Sequence, residues 1–317
     1  MKPLNELDDN LEIFRFVTFF DLYEILLNRR LRFSKLATFT DNNEGVGWVL
    51  AAQSRYAFRH SSISHNAVVD IYKYARNNHF LSCWTLERDL IAMWALYSPD
   101  HSSIRISTTV AKLRKSQLQV IEKYSFGNAW ERPGSRELVA WFGYLGEVDY
   151  VDFFKIRDDL QNKYQAFHSS TFPDNVHSLD YFSTVDFQSD VSNYDDDSGI
   201  NNGGSLLKDR AYMHEHELRA VLCCGVRNEK TRAECETSVM TEPFVEANEN
   251  ELPNYIYAEV DDNFIETICF DPRMPAYKRK VFEAILVGQC PEIKESKAFG
   301  CAIQQASFAS DFDGNPA

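Results

Sequence analysis

Two glutamates separated by one residue are the strongest candidates for chemistry in this chain. Glu215 and Glu217 stand just before Arg219, in the segment Tyr-Met-His-Glu-His-Glu-Leu-Arg. On a strand these three side chains share one face, where the carboxylates repel each other unless a substrate cation, a metal or Arg219 offsets them. The structural alternative is that these residues form an exposed strand edge. A metal site on the His-x-His pair, His214 and His216, would need a third ligand, and none stands at a spacing typical of such sites.

Arg15 and Ser82 are candidate contacts to an anionic ligand. Arg15 stands in the apolar run Phe-Arg-Phe-Val, so its stem packs while its guanidinium suits a phosphate or a carboxylate. A structural ion pair at a strand edge is the alternative. Ser82 belongs to a Ser-Cys-Trp-Thr segment ahead of a helix, where a hydroxyl and free helix amides favour an anion. The alternative is that Thr85 simply caps that helix and the nearby aromatic residues are core.

Two acidic and two aromatic residues complete the candidates. Asp41 and Glu44 lie in a loop with glycines at positions 45 and 47, which also fits a plain turn. Together with Glu215 and Glu217 they form a possible carboxylate set for Mg²⁺. Trp94 and Tyr212 are aromatic residues that would suit stacking on a flat ring.

Hydrophobic periodicity predicts a mixed α and β chain. Strands are predicted over 11–18, 31–35, 80–85, 103–108, 217–223, 256–260 and 264–270, and one or two more strands over 137–150. Helical spacing predicts helices behind Asp21 and over 89–97, 153–169, 206–213 and 276–287. We expect one domain over 11–290, an acidic loop over 190–205 and a C-terminal tail over 291–317.

Composition narrows the class of protein. The chain has 317 residues, of which 44% are hydrophobic and 25% are charged, as in a folded globular protein. The formal charge of -14 is uneven, because residues 1–136 hold 18 Lys and Arg against 14 Asp and Glu, a net of +4. No apolar run approaches the ~20 residues of a membrane span, and seven scattered cysteines favour free thiols over a metal site. We therefore expect a cytoplasmic protein with no membrane contact and no resident metal.

The chain resembles a bacterial family of domains of unknown function, over residues 11–290. The motifs that carry the resemblance are Arg32-Phe33-Ser34, Asp41 with Glu44, Cys83-Trp84-Thr85, Met93-Trp94-Ala95-Leu96-Tyr97, Ile106-Ser107-Thr108-Thr109 and Glu215-His216-Glu217-Leu218-Arg219. The family's loop motif contains a proline that this chain lacks. The resemblance implies a bacterial setting, in which a toxin or phage-defence effector is a plausible role.

The order of these motifs is similar to the layout of ADP-ribosyltransferases. That similarity implies a split, mostly antiparallel sheet with flanking helices and NAD as the substrate. Arg15 would hold the ribose or pyrophosphate, Ser82 would line the nicotinamide pocket, and Trp94 or Tyr212 would stack on nicotinamide. Glu217 would serve the ribose and Glu215 the acceptor, which is a protein, a nucleic acid, a small molecule or water.

Two other functions remain open at this stage. A nuclease would use the carboxylates to hold Mg²⁺, although no lysine is recognisable beside the acids. A ligand-binding or partner-binding module would need the carboxylates only for structure.

Overall fold

The chain forms an α+β fold around an open, mostly antiparallel sheet of nine strands. In the computed structural model, the described residues are 7–49, 65–125, 137–159, 162, 202–227, 252–288 and 291–300. The strands are β1 (Glu12–Val17), β2 (Arg30–Lys35), β3 (His79–Thr85), β4 (Ile104–Thr109), β5 (Glu137–Glu147), β6 (Asp149–Val151), β7 (Leu207–Asp209), β8 (Glu217–Arg227), β9 (Tyr255–Glu259), β10 (Thr267–Phe270) and β11 (Glu292–Ile293). The main helices are α1 (Phe19–Asn28), α2 (His65–Asn78), α3 (Ile91–Tyr97), α4 (Val110–Lys123) and α5 (Ala276–Leu286), and 3-10 helices cover Leu36–Thr38, Asn202–Leu206 and Arg210–Glu215.

The centre of the sheet is β3, because it pairs with three other strands. Strand β8 pairs antiparallel along one whole edge of β3, and β5 continues the sheet beyond β8. On the other edge, β1 pairs only at Thr85 and β2 only at Phe80 and Leu81. Strands β1 and β2 therefore occupy opposite ends of one edge and separate between them. Beyond β1 lie β4, β10 and β11, and beyond β2 lies β9; β6 and β7 form a separate parallel pair.

The two faces of the sheet differ in chemistry. Ile13, Trp84 and Leu218 point to one face, which we call the helix face, and pack there with apolar side chains of α1 and α4. Because side chains alternate along a strand, Thr85 and its paired residue Glu217 point to the opposite face. We call this opposite face the cluster face, because it carries a group of buried charges.

Local signals explain where several elements begin. The Thr18 hydroxyl accepts a hydrogen bond from the Asp21 backbone N–H and caps α1, as short hydroxyl side chains favour. Thr109 caps α4 in the same way through Lys112. Five predicted strands are confirmed, and each begins within two residues of its predicted start: 11–18, 31–35, 80–85, 103–108 and 217–223. Helices α2 and α4 were not predicted.

Three predicted segments differ from the structure. Residues 206–213 form a 3-10 turn, a short strand and a second 3-10 turn in place of a helix. Strand β11 pairs with β10, so the segment predicted as a C-terminal tail starts inside the sheet. Of the predicted acidic loop, residues 190–201 lie outside the described residues, whereas Gly204 and Ser205 are buried.

The described part of the chain shows the state of its cysteines and the length of its helices. The cysteines seen there have free thiols: Cys83, Cys223, Cys224 and Cys269. Within the same residues, every helix is too short or too polar to cross a bilayer.

Candidate functional site

Five charged side chains meet on the cluster face and are almost completely buried. They are Glu44, Lys208, Glu215, Glu217 and Arg219, and none is more than 8% exposed. We call this group the charge cluster. With every group ionised it holds three negative and two positive charges, a net of one negative charge. Burying charges is costly unless they are paired, so the contacts within the cluster determine whether it is stable.

Arg219 joins two of the three carboxylates. Its Nε lies 2.9 Å from Oε1 of Glu217, and its Nη2 lies 3.0 Å from Oε2. The same guanidinium donates to both oxygens of Glu44, at 2.9 and 2.6 Å, and to the Ser205 carbonyl at 2.8 Å. All of its donors therefore have acceptors, a geometry that the planar guanidinium fork suits.

Lys208 is the second cation of the cluster. Its Nζ lies 2.5 Å from Glu215, 3.1 Å from Glu217 and 3.7 Å from Glu44. It sits on β7, which β6 holds through parallel pairing. Sequence analysis missed Lys208, because residues 206–213 fit a helical spacing and no motif marks the lysine.

Glu215 reaches the cluster by a different route from Glu217. It ends a 3-10 helix, and the next residue, His216, has a left-handed backbone with φ of 42°. This turn, and not the strand alternation that was expected, places both carboxylates on Lys208. The Thr85 hydroxyl donates to the Glu215 carbonyl at 2.6 Å, and the Tyr97 hydroxyl donates to its carboxylate at 2.8 Å.

The cluster holds Glu217 as an anion. Burial alone would raise the pKa of this carboxyl, but Arg219 and Lys208 outweigh burial and lower the pKa to about 2. Burial likewise opposes the charge of Arg219, and the neighbouring carboxylates of Glu217 and Glu44 raise its pKa. Burial and the Glu217 charge raise the pKa of the adjacent Cys83 thiol, which makes it a poor nucleophile. Glu217 is therefore fitted to stabilise positive charge and not to donate a proton.

Arg76 holds the loop that delivers Glu44. Its guanidinium donates to the backbone carbonyls of four loop residues: Ala37, Phe39, Asp41 and Glu44. Arg76 itself is 9% exposed and stands near the end of α2. It acts as a positioning residue, because it fixes the backbone from which the Glu44 carboxylate reaches Arg219.

Asp41 and Tyr212 lie next to the cluster. The Lys208 ammonium lies 4.6 Å from the centre of the Tyr212 ring, within the range of a cation–π contact. The negative charge of Asp41, followed by burial, raises the pKa of Tyr212. Asp41 itself accepts a hydrogen bond from the Asn43 backbone and makes no ion pair with Lys208 or Arg219.

Arg15 and Ser82 lie on the helix side of the sheet, away from the cluster. Arg15 Nη1 donates to the Ser82 hydroxyl at 2.9 Å, and Ser82 also accepts from the Trp84 indole. Ser82 is paired with Ala220, which belongs to the helix-face core. The expectation that Arg15, Ser82 and Glu217 line one pocket is therefore wrong, because strand alternation sends Ser82 and Glu217 to opposite faces.

Trp94 is also misassigned by sequence reasoning. Its side chain is fully buried, and its ring packs edge-on against Phe16 with centroids 4.7 Å apart. Its indole N–H donates to Asp89 at 3.1 Å. Trp94 is a core residue without a free ring face for nicotinamide.

Comparison with known families agrees with part of the sequence analysis. Residues 93–220 match the model of a family described as "Protein of unknown function (DUF2971)". The match includes Tyr97, Lys208, Glu215, Glu217 and Arg219, and it ends before β9. No curated protein matches the chain. The expected similarity to a domain of unknown function is thus supported, and that family's description carries no activity.

Proposed function

We propose that the protein cleaves the bond between nicotinamide and ribose in NAD and passes ADP-ribose to an acceptor or to water. One observation carries the proposal: Glu217 is buried and ionised beside a second carboxylate, Glu215, in a cluster with a net negative charge. NAD contains a cationic nicotinamide ring, so a site with excess negative charge favours this end of the molecule.

The chemistry makes use of a permanently ionised carboxylate. The bond between ribose C1′ and the nicotinamide nitrogen breaks, and its electron pair leaves with nicotinamide, which becomes neutral. Positive charge then develops on the ribose ring, as it does in glycoside hydrolysis. Glu217, with a pKa of about 2, is negative at neutral pH and stabilises that charge through a ribose hydroxyl.

Glu215 is assigned to the acceptor. One of its oxygens accepts from Tyr97 and the other from Lys208. A carboxylate has about four acceptor positions, so two remain for a nucleophile. An acceptor hydroxyl or water bound there would lose its proton to Glu215 as its oxygen attacks ribose C1′.

Tyr212 stays a candidate for stacking on nicotinamide, and Tyr97 replaces Trp94. Tyr97 is 44% exposed and Tyr212 is partly exposed, and both side chains border the charge cluster through Glu215 and Lys208. An aromatic residue with one accessible ring face provides a surface for a flat ligand ring.

The test is NAD turnover by the purified protein, followed by chromatography of released nicotinamide. Glu217→Gln keeps the size of the side chain and removes its charge, so we expect kcat to fall by about two orders of magnitude or more with little change in KM. Glu259→Gln is the matched control, because Glu259 lies on the edge strand β9, its side chain is 73% exposed, and it forms an ion pair with surface Lys123. If Glu217→Gln retained wild-type activity, Glu217 would have no part in the mechanism.

A metal-dependent nuclease is the second candidate. It gains support from Lys208, which contacts Glu44, Glu215 and Glu217, since a lysine beside the acids was the missing component. Against it, no group of three or more acidic, histidine or cysteine ligands is arranged for a metal within the described part of the chain. Nucleic-acid cleavage that a chelator abolishes would favour the nuclease, whereas NAD cleavage that persists in chelator would favour the first proposal.

A further inference from the structure

A second candidate site lies where β1 and β2 separate along the edge of β3. The cleft between them is lined by side chains of β1, α1, β2 and β9. Its polar lining consists of Arg15, Asp21, Glu24, Arg30, Arg32 and Tyr257. None of these residues belongs to the charge cluster, so the cleft is a separate feature of the fold.

One arginine donor in this cleft lacks a hydrogen-bond partner, and a second arginine has no carboxylate partner among the described residues. Arg15 forms no ion pair with any carboxylate among the described residues. Its Nη1 donates to the Ser82 hydroxyl and, at 3.5 Å, to the Arg32 carbonyl, and its guanidinium lies 5.9 Å from the Trp84 ring. Arg32 pairs with Asp21 at 2.9 Å, but its buried Nε has no hydrogen-bond partner. A buried donor without an acceptor is costly, and an anion in the cleft would supply one.

The charge balance of the cleft points the same way. Three guanidinium groups face two carboxylates, those of Asp21 and Glu24, which leaves a net of one positive charge. The whole chain has a net charge of -14. A pocket that retains positive charge in so acidic a protein favours a ligand with a phosphate group, because guanidinium binds phosphate through paired hydrogen bonds.

Two tyrosines extend the cleft along the edge strand β9. Tyr255 and Tyr257 alternate with buried residues and are 42% and 40% exposed. The Arg32 guanidinium lies 5.1 Å from the Tyr255 ring, and the Arg30 guanidinium lies 6.0 Å from the Tyr257 ring. Exposed aromatic rings and guanidinium planes are the surfaces on which nucleic-acid bases stack.

We infer that this cleft binds a nucleotide unit, with its phosphate against Arg15 and Arg32 and its base on Arg30 and Tyr257. A free nucleotide and one unit of a single-stranded nucleic acid share this chemistry. The inference does not rest on NAD cleavage, because it uses none of the residues assigned to that reaction.

The experiment measures binding of AMP, of inorganic phosphate and of a short fluorescent oligodeoxyadenylate to the full chain. Arg32→Gln is expected to weaken binding about tenfold, since a charge-assisted contact is lost. Tyr257 is exposed, so Tyr257→Leu should not prevent folding. We expect this variant to bind AMP or the oligonucleotide about fivefold or more weakly and to bind phosphate with unchanged affinity. Arg114→Gln is the control, because Arg114 also forms one ion pair, with Asp9, and has a similar exposure of 32% against 36% for Arg32.

The outcomes distinguish the ligand sources. If AMP binds and Arg32→Gln weakens its binding while Arg114→Gln does not, the ligand is a free nucleotide. If only the oligonucleotide binds and the two variants differ in the same way, the ligand is a nucleic-acid strand. Failure of both nucleotides to bind, or equal binding by Arg32→Gln and wild type, overturns the inference. Equal affinity for AMP and phosphate overturns the assignment of a base to Tyr257. Because Glu217→Gln should bind AMP normally, failure of NAD cleavage leaves this test intact.

Discussion

Replacing Glu217 with glutamine should destabilise the protein in a way that depends on pH. The substitution removes one of three carboxylates from a buried cluster, and it leaves Arg219 with Glu44 and Lys208 with Glu215 as their main anionic partners. Removing one member of a buried ion pair is among the costlier single substitutions.

The size of the effect follows from the pKa of Glu217. In the folded chain this pKa is lowered from 4.5 to about 2, so the carboxyl binds its proton more weakly when folded than when unfolded. Such a group contributes about 3 kcal/mol to the free energy of unfolding at neutral pH. The contribution is fully present above pH 4.5 and is lost as the pH falls toward 2. Glutamine does not titrate, so the variant lacks both the contribution and this part of the pH dependence.

The assay is urea unfolding at pH 7, 4 and 3, with circular dichroism as the signal. We expect Glu217→Gln to be about 3 kcal/mol less stable than wild type at pH 7 and the difference to shrink at pH 3. Glu259→Gln is the control, since the Glu259–Lys123 pair is exposed to solvent and should matter little. A difference below about 1 kcal/mol at pH 7, or one that is equal at pH 7 and pH 3, would refute the reasoning.

Three further substitutions test the surrounding structure. Burial lowers the pKa of His79 from 6.5 to about 4, so wild type should lose about 2 kcal/mol of stability between pH 7 and pH 5. His79→Gln should lack that loss in urea unfolding at the same two pH values. Gly204→Ala would place a methyl group 2.5 Å from the Trp48 ring. Because such overpacking costs about 1–3 kcal/mol of stability, the melting temperature should fall by several degrees. Arg76→Met removes the donors that hold the Glu44 loop and should cost about 3 kcal/mol, with a loss of NAD turnover larger than that of the surface variant Arg114→Gln; unchanged turnover would contradict the positioning role.

The sequence alone determined the elements whose signals are local. Strand β1 is partly exposed and its apolar and polar residues alternate, whereas β3 and β8 are buried along almost their whole length and contain short apolar runs. Both patterns can be read without any neighbour. The Glu215–Glu217 pair is recognisable for the same reason, since its two members are one residue apart. Helix α4 was missed although Val110, Leu113 and Val120 recur at helical spacing on its buried face, so its local signal was also present.

Only the tertiary structure determined the composition of the site. Glu44 and Tyr97 reach the glutamates from distant parts of the chain, and their motifs do not show that they meet there. Lys208 lies close to Glu215 in sequence, but no motif marks it. Which face a residue of β3 points to also depends on its pairing with β8, whose residues come more than a hundred positions later. A shift of one residue in that register would put Ser82 on the cluster face in place of Cys83. Sequence reasoning therefore identified the carboxylates but assigned Arg15, Ser82 and Trp94 to the wrong surroundings, because strand register and long-range ion pairing are properties of the folded chain.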